Sequence, residues 1–327
     1  MNLLEITDEV AWNDYVNTHP GGHPLQLWGW GEAKRPNWRP VRLALVDGDL
    51  WRAGAQVLLW SVPKTRWSVA YVPRGPVTEP GSALARQLME AVADWAKAQG
   101  ALYVRIEPAW QLETLDWPGW KRAQYQLQMR QTYVIDLTRP RDELLAAMSR
   151  KHRQYSGKAV RDGVVIRRLE PGVVGDMYQL YSETAARAGF GIHSRDYYLR
   201  LSRSLGEASW LYEARFENQP VAFLWLAAAG STAFELYGGV NAIGQKMKAN
   251  YALKWQAITD AQEAGFKMYD FNGRVSEGVS QFKEGFGPQE VDWVGTWDRP
   301  LQPVLYAAWE GAWPVIKRAG RLLKGRH

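Results

Sequence analysis

The amino-acid sequence predicts a mixed α/β (α+β) protein that contains two copies of one structural unit. In each half of the 327-residue chain, two apolar strand segments are followed by an amphipathic helix, a glycine and a short strand. Gly75 and Gly100 in the first half correspond to Gly239 and Gly265 in the second, at a nearly constant offset along the chain. This recurrence, together with the chain length, favours two related domains.

The first copy begins with two strand candidates, Gly54–Trp60 and Trp67–Val72, whose apolar residues and intervening turn predict a β-hairpin. The segment Ala83–Ala98 predicts a helix, because its large apolar residues share one helical face: Leu84, Leu88, Val92 and Trp95. Gly100 is expected to end this helix. The next strand, Leu102–Ile106, leads directly into Glu107.

The second copy repeats this order. Pro220–Leu226 and Thr232–Tyr237 predict a second hairpin, which runs into a pair of glycines. Asn250–Ala264 predicts the helix and Gly265 its end, and Lys267–Phe271 predicts the short strand that follows.

Composition excludes several classes of protein. The chain has no cysteine, which excludes disulfide scaffolds, cysteine-ligated zinc, iron–sulfur clusters and cysteine nucleophiles. The five histidines are scattered without the spacing of a metal site, so we expect no metal. The acidic N-terminus does not resemble a signal peptide, and no apolar run has the length of a membrane helix. We therefore expect a soluble, cytoplasmic protein.

Positive charge is concentrated in two stretches. Arg139–Arg168 holds nine Lys or Arg against three acidic residues, and Gly311–His327 holds five Lys or Arg and no acid. The rest of the chain is mildly acidic. The two stretches are equally compatible with an anionic partner (a nucleic acid, a pyrophosphate or an anionic membrane surface) and with two ordinary solvated helix faces.

The order hairpin, helix, strand is similar to that of the GNAT acyltransferases. A GNAT enzyme that uses acyl-CoA holds the pyrophosphate on a loop of the type Gln/Arg-x-x-Gly-x-Gly/Ala. The first copy lacks this spacing in Arg74–Ser82, and the second, Asn241–Lys246, keeps one glycine only. We expect a GNAT-like fold in which CoA binding is impaired.

An ordered set of motifs resembles the Fem family of aminoacyltransferases, which build peptidoglycan bridges from aminoacyl-tRNA. The most specific is Phe-Lys-x-Gly-Phe-Gly at Phe282–Gly287. The other matching segments are Gln26–Lys34 with Trp38, Tyr71–Pro76, Ile135–Leu137 with Met148, Lys151 and Arg153, Tyr237–Gly239, Asn250, and Tyr269–Gly273.

The resemblance implies two tandem GNAT-like domains, the second inserted into the first. Residues 1–130 and 297–327 would form the muropeptide acceptor domain, and residues 131–296 the aminoacyl-tRNA domain. No sustained heptad pattern is present, so we expect the short type that lacks the family's coiled-coil arm. The implied function is transfer of an amino acid from aminoacyl-tRNA to the side-chain amine of a peptidoglycan stem peptide, in cell wall synthesis.

Two residues are candidates for catalysis. Lys283 matches the family's lysine, and its ammonium could neutralise a tRNA phosphate or the oxyanion of the tetrahedral intermediate. Glu107 stands where the family usually has Asp, and it could accept a proton from the attacking amine. A purely structural role for Glu107 is equally compatible with the sequence. Gly285 and Gly287 would let backbone approach a ligand near Lys283.

Seven further residues are implied in substrate binding. Lys34 would hold the diphosphate of a nucleotide- or lipid-linked muropeptide, and Arg74 would lie on the rim of the same groove. His193 replaces an arginine of some relatives and carries full charge only below about pH 6.5, so Arg195 is a second candidate for the phosphate. The remaining three are aromatic: Tyr197, Tyr237 and Phe282.

We expect aminoacyl-tRNA and a UDP- or lipid-linked muropeptide as substrates, and no cofactor. The basic C-terminus interleaves Trp and Leu with its cations, which favours peripheral contact with the anionic inner membrane over contact with tRNA. Three other functions remain open: a CoA-dependent GNAT N-acyltransferase, an aminoacyl-tRNA–protein transferase, and a non-catalytic RNA- or envelope-binding protein.

Overall fold

The computed structural model describes residues 1–274 and 277–312, and in them the chain forms two seven-stranded sheets with helices packed on them. The elements before the second sheet are β1 (Asn2–Ile6), α1 (Glu9–Thr18), α2 (Trp28–Ala33), β2 (Arg39–Asp47), β3 (Leu50–Ser61), β4 (Ser68–Arg74), α3 (Ala83–Ala98), β5 (Ala101–Pro108) and β6 (Lys121–Arg122). The predicted basic tail lies mostly outside the described residues, because Trp313–His327 are not among them.

The second sheet and its helices follow without interruption. The elements are β7 (Gln131–Asp136), α4 (Arg141–Ala147), α5 (Arg150–Arg161), β8 (Val165–Leu169), α6 (Met177–Ala188), α7 (Arg195–Leu205), β9 (Ser209–Phe216), β10 (Gln219–Ala229), β11 (Thr232–Val240), α8 (Ala242–Lys246), α9 (Ala249–Glu263), β12 (Met268–Asp270), α10 (Glu277–Glu284) and β13 (Gln289–Asp292). The chain continues into β14 (Trp297–Pro300) and a helical segment over 303–312.

The predicted internal repeat is present in the structure. In the first sheet, β3 and β4 form an antiparallel hairpin, α3 follows, and β5 pairs parallel to β4. In the second, β10 and β11 form the hairpin, α9 follows, and β12 pairs parallel to β11. The helix α3 has the predicted bounds, since the Ser82 side chain caps its first turn and Gly100, with φ +75°, follows its last residue closely.

The two sheets are interleaved along the chain. The first has the order β1-β2-β3-β4-β5-β14-β6 and the second the order β13-β7-β12-β11-β10-β9-β8. The chain therefore leaves the first sheet after β6, builds the whole second sheet, and returns to the first at β14, which pairs antiparallel with β5.

A shared apolar core joins the two units. Trp12 and Trp30 from the first unit pack in one cluster with Tyr198, Phe223 and Trp225 from the second. The helices α2 and α7 approach closely at Gly29, where a Cβ atom would lie 1.7 Å from the carbonyl oxygen of Ser204. None of the described helices has the length and hydropathy needed to cross a membrane.

A buried ion-pair network holds the returning strand. Arg105 on β5 makes two hydrogen bonds to the carboxylate of Asp298 on β14, at 2.8 and 2.7 Å. Tyr306, in the helical segment, donates to Asp298, and Glu310 lies 3.3 Å from the same guanidinium. Because these groups are shielded from water, each charge depends on the others for compensation.

Replacing Asp298 by Ala should lower the free energy of unfolding by about 3–5 kcal/mol, because the Arg105 guanidinium would stay buried without its carboxylate. Urea denaturation measures this loss. Glu263→Ala is the matched control: it breaks an exposed pair with Arg141 and should cost less than about 1 kcal/mol. Equal losses in the two variants would contradict a structural role for the Arg105–Asp298 pair.

Candidate functional site

Two cavities lie side by side where the units meet. The large cavity has a volume of about 880 Å³ and lies mostly in the second unit, between β11, α9 and α10. The small cavity, of about 220 Å³, lies between α2 and β3–β4 of the first unit and α7 of the second. Gln128 lines both cavities, and its neighbours Leu127 and Met129 line the large one. The segment Leu127–Met129 therefore runs between them.

The large cavity exists because two parallel strands separate. The strands β11 and β12 are paired only from Thr232↔Met268 to Phe234↔Asp270, although β11 continues to Val240. Beyond Phe234 the free edge of β11 faces the cavity, which is lined by Glu235–Val240. In the first unit, β4 and β5 stay paired as far as Arg74↔Pro108, so the equivalent gap is closed.

Lys283 lies in the wall of the large cavity and is 6% exposed. Its ammonium donates to the carbonyl oxygens of Phe271 and Gly273, each at 2.7 Å. Burial lowers the pKa of Lys283 to about 8, with Lys254 adding to this effect and Glu235 and Asp270 opposing it. The side chain is therefore a fixed, partly desolvated cation whose charge is sensitive to pH near neutrality.

A second buried lysine shares this wall and was missed in the sequence. Lys254 on α9 donates to Glu235 at 2.5 Å, and the Tyr269 hydroxyl donates to the same carboxylate oxygen at 2.7 Å. Both Lys254 and Glu235 line the cavity. Burial raises the pKa of Tyr269, helped by the charge of Glu235. The sequence feature that could have identified Lys254 is a polar residue that lies between apolar neighbours in the helix α9.

The rest of the large cavity combines aromatic rings with cations. Phe282 and Tyr237, both expected in the site, line it. Further aromatic lining residues are Tyr181, Phe190, Phe223, Tyr251 and Phe271. Arg187 and Lys248 add two more positive charges, and Arg187 also donates to the carbonyl of Val240 at 2.9 Å. The lining thus holds four Lys or Arg and one carboxylate, Glu235.

The first basic stretch is only partly available to this cavity. Four of its cations pair with carboxylates: Arg139, Arg141, Lys158 and Arg167. Arg153 donates instead to backbone carbonyls at the end of α4. Lys151 lies 5.8 Å from the ring centroid of Tyr155, which Lys248 approaches to 5.2 Å from the cavity side. The stretch therefore places one cation, Lys151, on the ring that Lys248 also approaches, and it forms structural contacts elsewhere.

The small cavity gathers the expected acceptor-side residues. The Lys34 ammonium donates to the Tyr197 hydroxyl at 2.6 Å and lies 3.9 Å from the ring centroid of Trp30. His193 stacks on Tyr197 with ring centroids 4.1 Å apart, and Lys34, His193 and Tyr197 all line the cavity. Three groups predicted from two distant parts of the chain thus meet in one place.

Arg195 does not line this cavity, whereas Arg200 does. Ser194 caps α7, so Arg195 is the first residue of that helix and is exposed. Arg200 lies three residues beyond Tyr197, on the same helical face, and donates to the carbonyl of Ala33 at 3.3 Å. Helical phase starting at the Ser194 cap is the signal that could have identified Arg200.

Tyr237 connects the two cavities. It lines the large cavity and is hydrogen-bonded to Tyr197, which lines the small one. Burial raises the pKa of Tyr237 well above its usual value, with Tyr197 adding to the effect. A continuous polar path therefore runs from Lys34 through Tyr197 to Tyr237.

Glu107 holds the segment between the cavities. Its carboxylate accepts hydrogen bonds from the backbone N–H groups of Leu127, at 2.6 Å, and Gln128, at 3.0 Å. It also accepts from the hydroxyls of Tyr71, at 2.5 Å, and Thr296, at 2.7 Å. With both oxygens engaged by four donors and the residue 2% exposed, the geometry favours the structural alternative over proton transfer.

Arg74 has a different position from the predicted groove rim. It is buried, it lines neither cavity, and it donates to the carbonyl of Met129 at 2.9 Å. Arg74 and Glu107 lie at the paired ends of β4 and β5. The first unit therefore holds the segment Leu127–Met129 by hydrogen bonds at both of its ends. Burial lowers the pKa of Arg74, and the charges of Asp270 and Glu107 oppose this shift.

Two glycine expectations need correction. A Cβ at Gly285 would lie 1.9 Å from the His152 ring, and one at Gly287 would lie 2.4 Å from the Ala147 carbonyl oxygen. These glycines therefore let the backbone approach α4 and α5, and not a ligand.

The segment Asn241–Lys246 stands where a GNAT enzyme has its pyrophosphate loop. The backbone N–H of Gly244 in this segment donates to the Asn241 side chain at 2.9 Å, so this donor is already used.

Comparisons with known proteins identify the family of this chain. The FemAB family profile matches residues 7–126, 114–217 and 200–312. A lipid II:glycine glycyltransferase of Staphylococcus haemolyticus is 24% identical over the full length of both chains. One from Staphylococcus aureus is 27% identical, covering 98% of this chain and 97% of that protein.

Solved structures show the same fold. The crystal structure of FemX superimposes with a TM-score of 0.86 at 21% identity, covering 95% of this chain and all of that one. A tandem GNAT protein from the clavulanic acid biosynthesis pathway gives a TM-score of 0.56 at 12% identity, over 91% and 98% of the two chains. The predicted fold class of two GNAT-like domains is thus confirmed.

The two units have the GNAT-like fold, and the two cavities lie where they meet. The chain belongs to the FemAB family. The predicted family is confirmed, and the predicted enzyme class, an aminoacyltransferase, agrees with the names of the relatives.

Replacing Glu107 by Gln should lower the free energy of unfolding by about 1–3 kcal/mol, because the new amide cannot accept all four hydrogen bonds. The shape of the pH–rate profile for aminoacyl transfer should stay the same, since Glu107 carries no proton in the reaction. Thermal denaturation and initial rates across pH measure the two quantities. Glu113→Gln, at an exposed position, is the control. If Glu107→Gln kept the wild-type stability and its rate no longer fell at acidic pH, Glu107 would be identified as a base.

Proposed function

We propose that the protein transfers an amino acid from aminoacyl-tRNA to the side-chain amine of a peptidoglycan stem-peptide precursor. The observation that carries this proposal is the meeting of two chemically different cavities at Gln128. A reaction between two large substrates needs two binding sites whose reactive ends converge, and this arrangement provides them.

The large cavity suits the aminoacyl end of a tRNA. Its volume lies within the ~300–1,000 Å³ range of small-molecule sites, enough for a nucleoside and an aminoacyl group. Aromatic rings such as Phe282 and Tyr251 can stack on a terminal base, and base–aromatic stacking stabilises single-stranded RNA ends. Arg187 and Lys248 carry positive charge toward the phosphates that precede the terminal nucleoside.

The small cavity suits the acceptor. Lys34 and Arg200 bring two cations into this cavity, which matches the diphosphate that links a muropeptide to its nucleotide or lipid carrier. His193 adds a donor at the same position. From there the stem peptide can extend along the Tyr197–Tyr237 path toward Gln128, so that its amine reaches the large cavity.

The reaction needs little more than positioning. The neutral amine attacks the ester carbonyl carbon, and the tetrahedral intermediate collapses to an amide as the terminal ribose oxygen of the tRNA leaves. The amine loses one proton and the leaving oxygen gains one, so the substrates can exchange it without an enzyme base. Lys283 stabilises negative charge at the oxyanion or the adjacent phosphate. An ester is already activated, so no ATP is required.

The occupied Gly244 N–H argues against the CoA-dependent alternative, because a pyrophosphate would lack a donor that GNAT enzymes supply. The decisive experiment incubates the protein with charged tRNA pools and muropeptide precursors and identifies the product by mass spectrometry. We expect a precursor heavier by one or more aminoacyl residues. Modification of a protein N-terminus instead, or acyl transfer from acetyl-CoA, would contradict the proposal.

Lys283→Met should lower kcat/KM by roughly 100-fold or more while the fold is retained, because the cation at the reacting centre is lost. Lys283→Arg should keep the charge at alkaline pH. In the wild type, Lys283 is protonated below its pKa of about 8, so activity should fall as pH rises through that value. The activity of the Lys283→Arg variant should not fall as pH rises through this value.

Initial rates between pH 6.5 and 9.5, corrected for spontaneous hydrolysis of the aminoacyl ester, measure the effect. Lys267→Met, at an exposed site in the same unit, is the control and should behave as wild type. A Lys283→Met variant within a few-fold of the wild-type rate would remove Lys283 from the mechanism.

Lys34→Ala should raise the KM for the muropeptide acceptor roughly tenfold or more and leave the KM for aminoacyl-tRNA nearly unchanged. The physical reason is loss of a cation from the small cavity only. Steady-state kinetics with each substrate varied in turn measure the split. Arg35→Ala removes the neighbouring exposed cation and serves as control. An equal rise in both KM values would indicate a structural role for Lys34.

A further inference from the structure

An aromatic track leads away from the small cavity across the first sheet. We define it by four rings: Tyr71, Trp38, Trp60 and Trp309. The ring centroid of Trp38 lies 6.2 Å from that of Tyr71 and 6.5 Å from that of Trp60. The ring centroids of Trp60 and Trp309 are 5.9 Å apart. Tyr71 and Trp38 line the small cavity, whereas Trp60 and Trp309 do not. The track therefore connects the acceptor cavity with the surface of the first unit.

Two further segments extend this surface. The turn between β3 and β4, which we name the hairpin tip (62–67), packs Val62 and Trp67 into the same small apolar cluster as Trp60 and Trp309. The helical segment over 303–312 supplies Trp309 and carries Val304, which at 83% exposure is the most exposed of the large apolar side chains in the described residues. The hairpin tip and this segment therefore share one apolar cluster that holds three partly buried tryptophans, and the segment also exposes Val304.

Three cations lie on or beside the hairpin tip and the helical segment. Lys64 and Arg66 are exposed on the hairpin tip, and the Arg66 guanidinium lies 4.8 Å from the ring centroid of Trp67. Lys121 lies 4.1 Å from the ring centroid of Tyr306, in the helical segment. The sequence that follows this segment adds five Lys or Arg and no acid. Tryptophan with a basic rim matches a bilayer interface, where indole rings lie among headgroups and cations meet anionic lipid.

We infer that the hairpin tip and the exposed side of the 303–312 segment dock on an anionic bilayer surface, so that the aromatic track leads a lipid-linked acceptor into the small cavity. Bilayer contact rests on the tryptophans and cations of the described surface, and the basic sequence that follows the segment agrees with it. The choice of a lipid-linked over a nucleotide-linked acceptor rests on the proposed function, because it assumes that the small cavity holds the acceptor.

The first test is co-sedimentation of the full chain with vesicles of phosphatidylglycerol and phosphatidylcholine, and with phosphatidylcholine alone. Binding should require the anionic lipid. Lys64→Glu with Arg66→Glu should lower the partition coefficient at least roughly 10-fold, because each cation near an anionic surface contributes measurably to binding. Arg52→Glu with Arg86→Glu makes the same charge change at exposed positions outside this surface and should bind as wild type.

Trp67→Ala should also weaken binding, whereas Trp51→Ala, at the other end of β3, should not. If Trp67→Ala fails to fold, the charge variants decide. The inference is overturned by equal binding to neutral vesicles, or by tip variants that bind like their controls. It is also overturned if the tip variants lose affinity for tRNA and keep their affinity for vesicles, since the surface would then contact RNA.

A kinetic test addresses the acceptor. The Lys64→Glu/Arg66→Glu variant should lose activity several-fold toward a lipid-linked muropeptide presented in anionic vesicles, and should keep wild-type activity toward the nucleotide-linked precursor in solution. Equal activity of variant and wild type on both acceptors would overturn the delivery step. Absence of transfer by the wild-type protein would contradict the proposed function and leave the vesicle result to stand separately.

Discussion

The site depends on a difference in strand pairing between two otherwise similar units. In the second unit β11 and β12 part after Phe234, which frees the edge of β11 and leaves room for a ligand. In the first unit β4 and β5 stay paired to Arg74 and Pro108, and the equivalent space is used to anchor the segment Leu127–Met129. One copy of the fold therefore provides the large cavity, and the other holds the chain segment that separates it from the small cavity.

Buried charge also divides between the two units. The carboxylate of Glu107 and the guanidinium of Arg74 each bind backbone groups of the segment Leu127–Met129, so their burial stabilises one conformation, although the Nε of Arg74 has no hydrogen-bond partner among the described residues. Lys283 is also held by backbone carbonyls, yet it faces a cavity, and burial lowers its pKa to about 8. Because this ammonium is partly desolvated, an anionic ligand stabilises it more than it would stabilise a solvated lysine.

The sequence predicts the repeated unit well, because hairpin, helix and strand are local patterns fixed by apolar periodicity, Ser82 and Gly100. It also predicts Lys34, Tyr197, Tyr237 and Lys283 as neighbours of the cavities, through the family resemblance. It does not predict the roles of Arg74 and Glu107, since these depend on how far two strands stay paired and on a segment that is distant in sequence from Arg74. The ion pair of Glu235 and Lys254 is not predicted for a similar reason. Each residue resembles an ordinary residue of its own strand or helix, and only the tertiary fold brings the two together.

The central claim is that donor and acceptor occupy separate cavities that meet at Gln128. A crystal structure with a bisubstrate analogue tests it most directly: a terminal adenosine bearing the aminoacyl group, joined through a stable linkage to the amine of a stem peptide that keeps its diphosphate. We expect the adenine among the aromatic rings of the large cavity, the linkage close to Lys283 and Gln128, and the diphosphate beside Lys34 and Arg200. An analogue bound wholly within one cavity, or with its diphosphate beside Lys283, would contradict it.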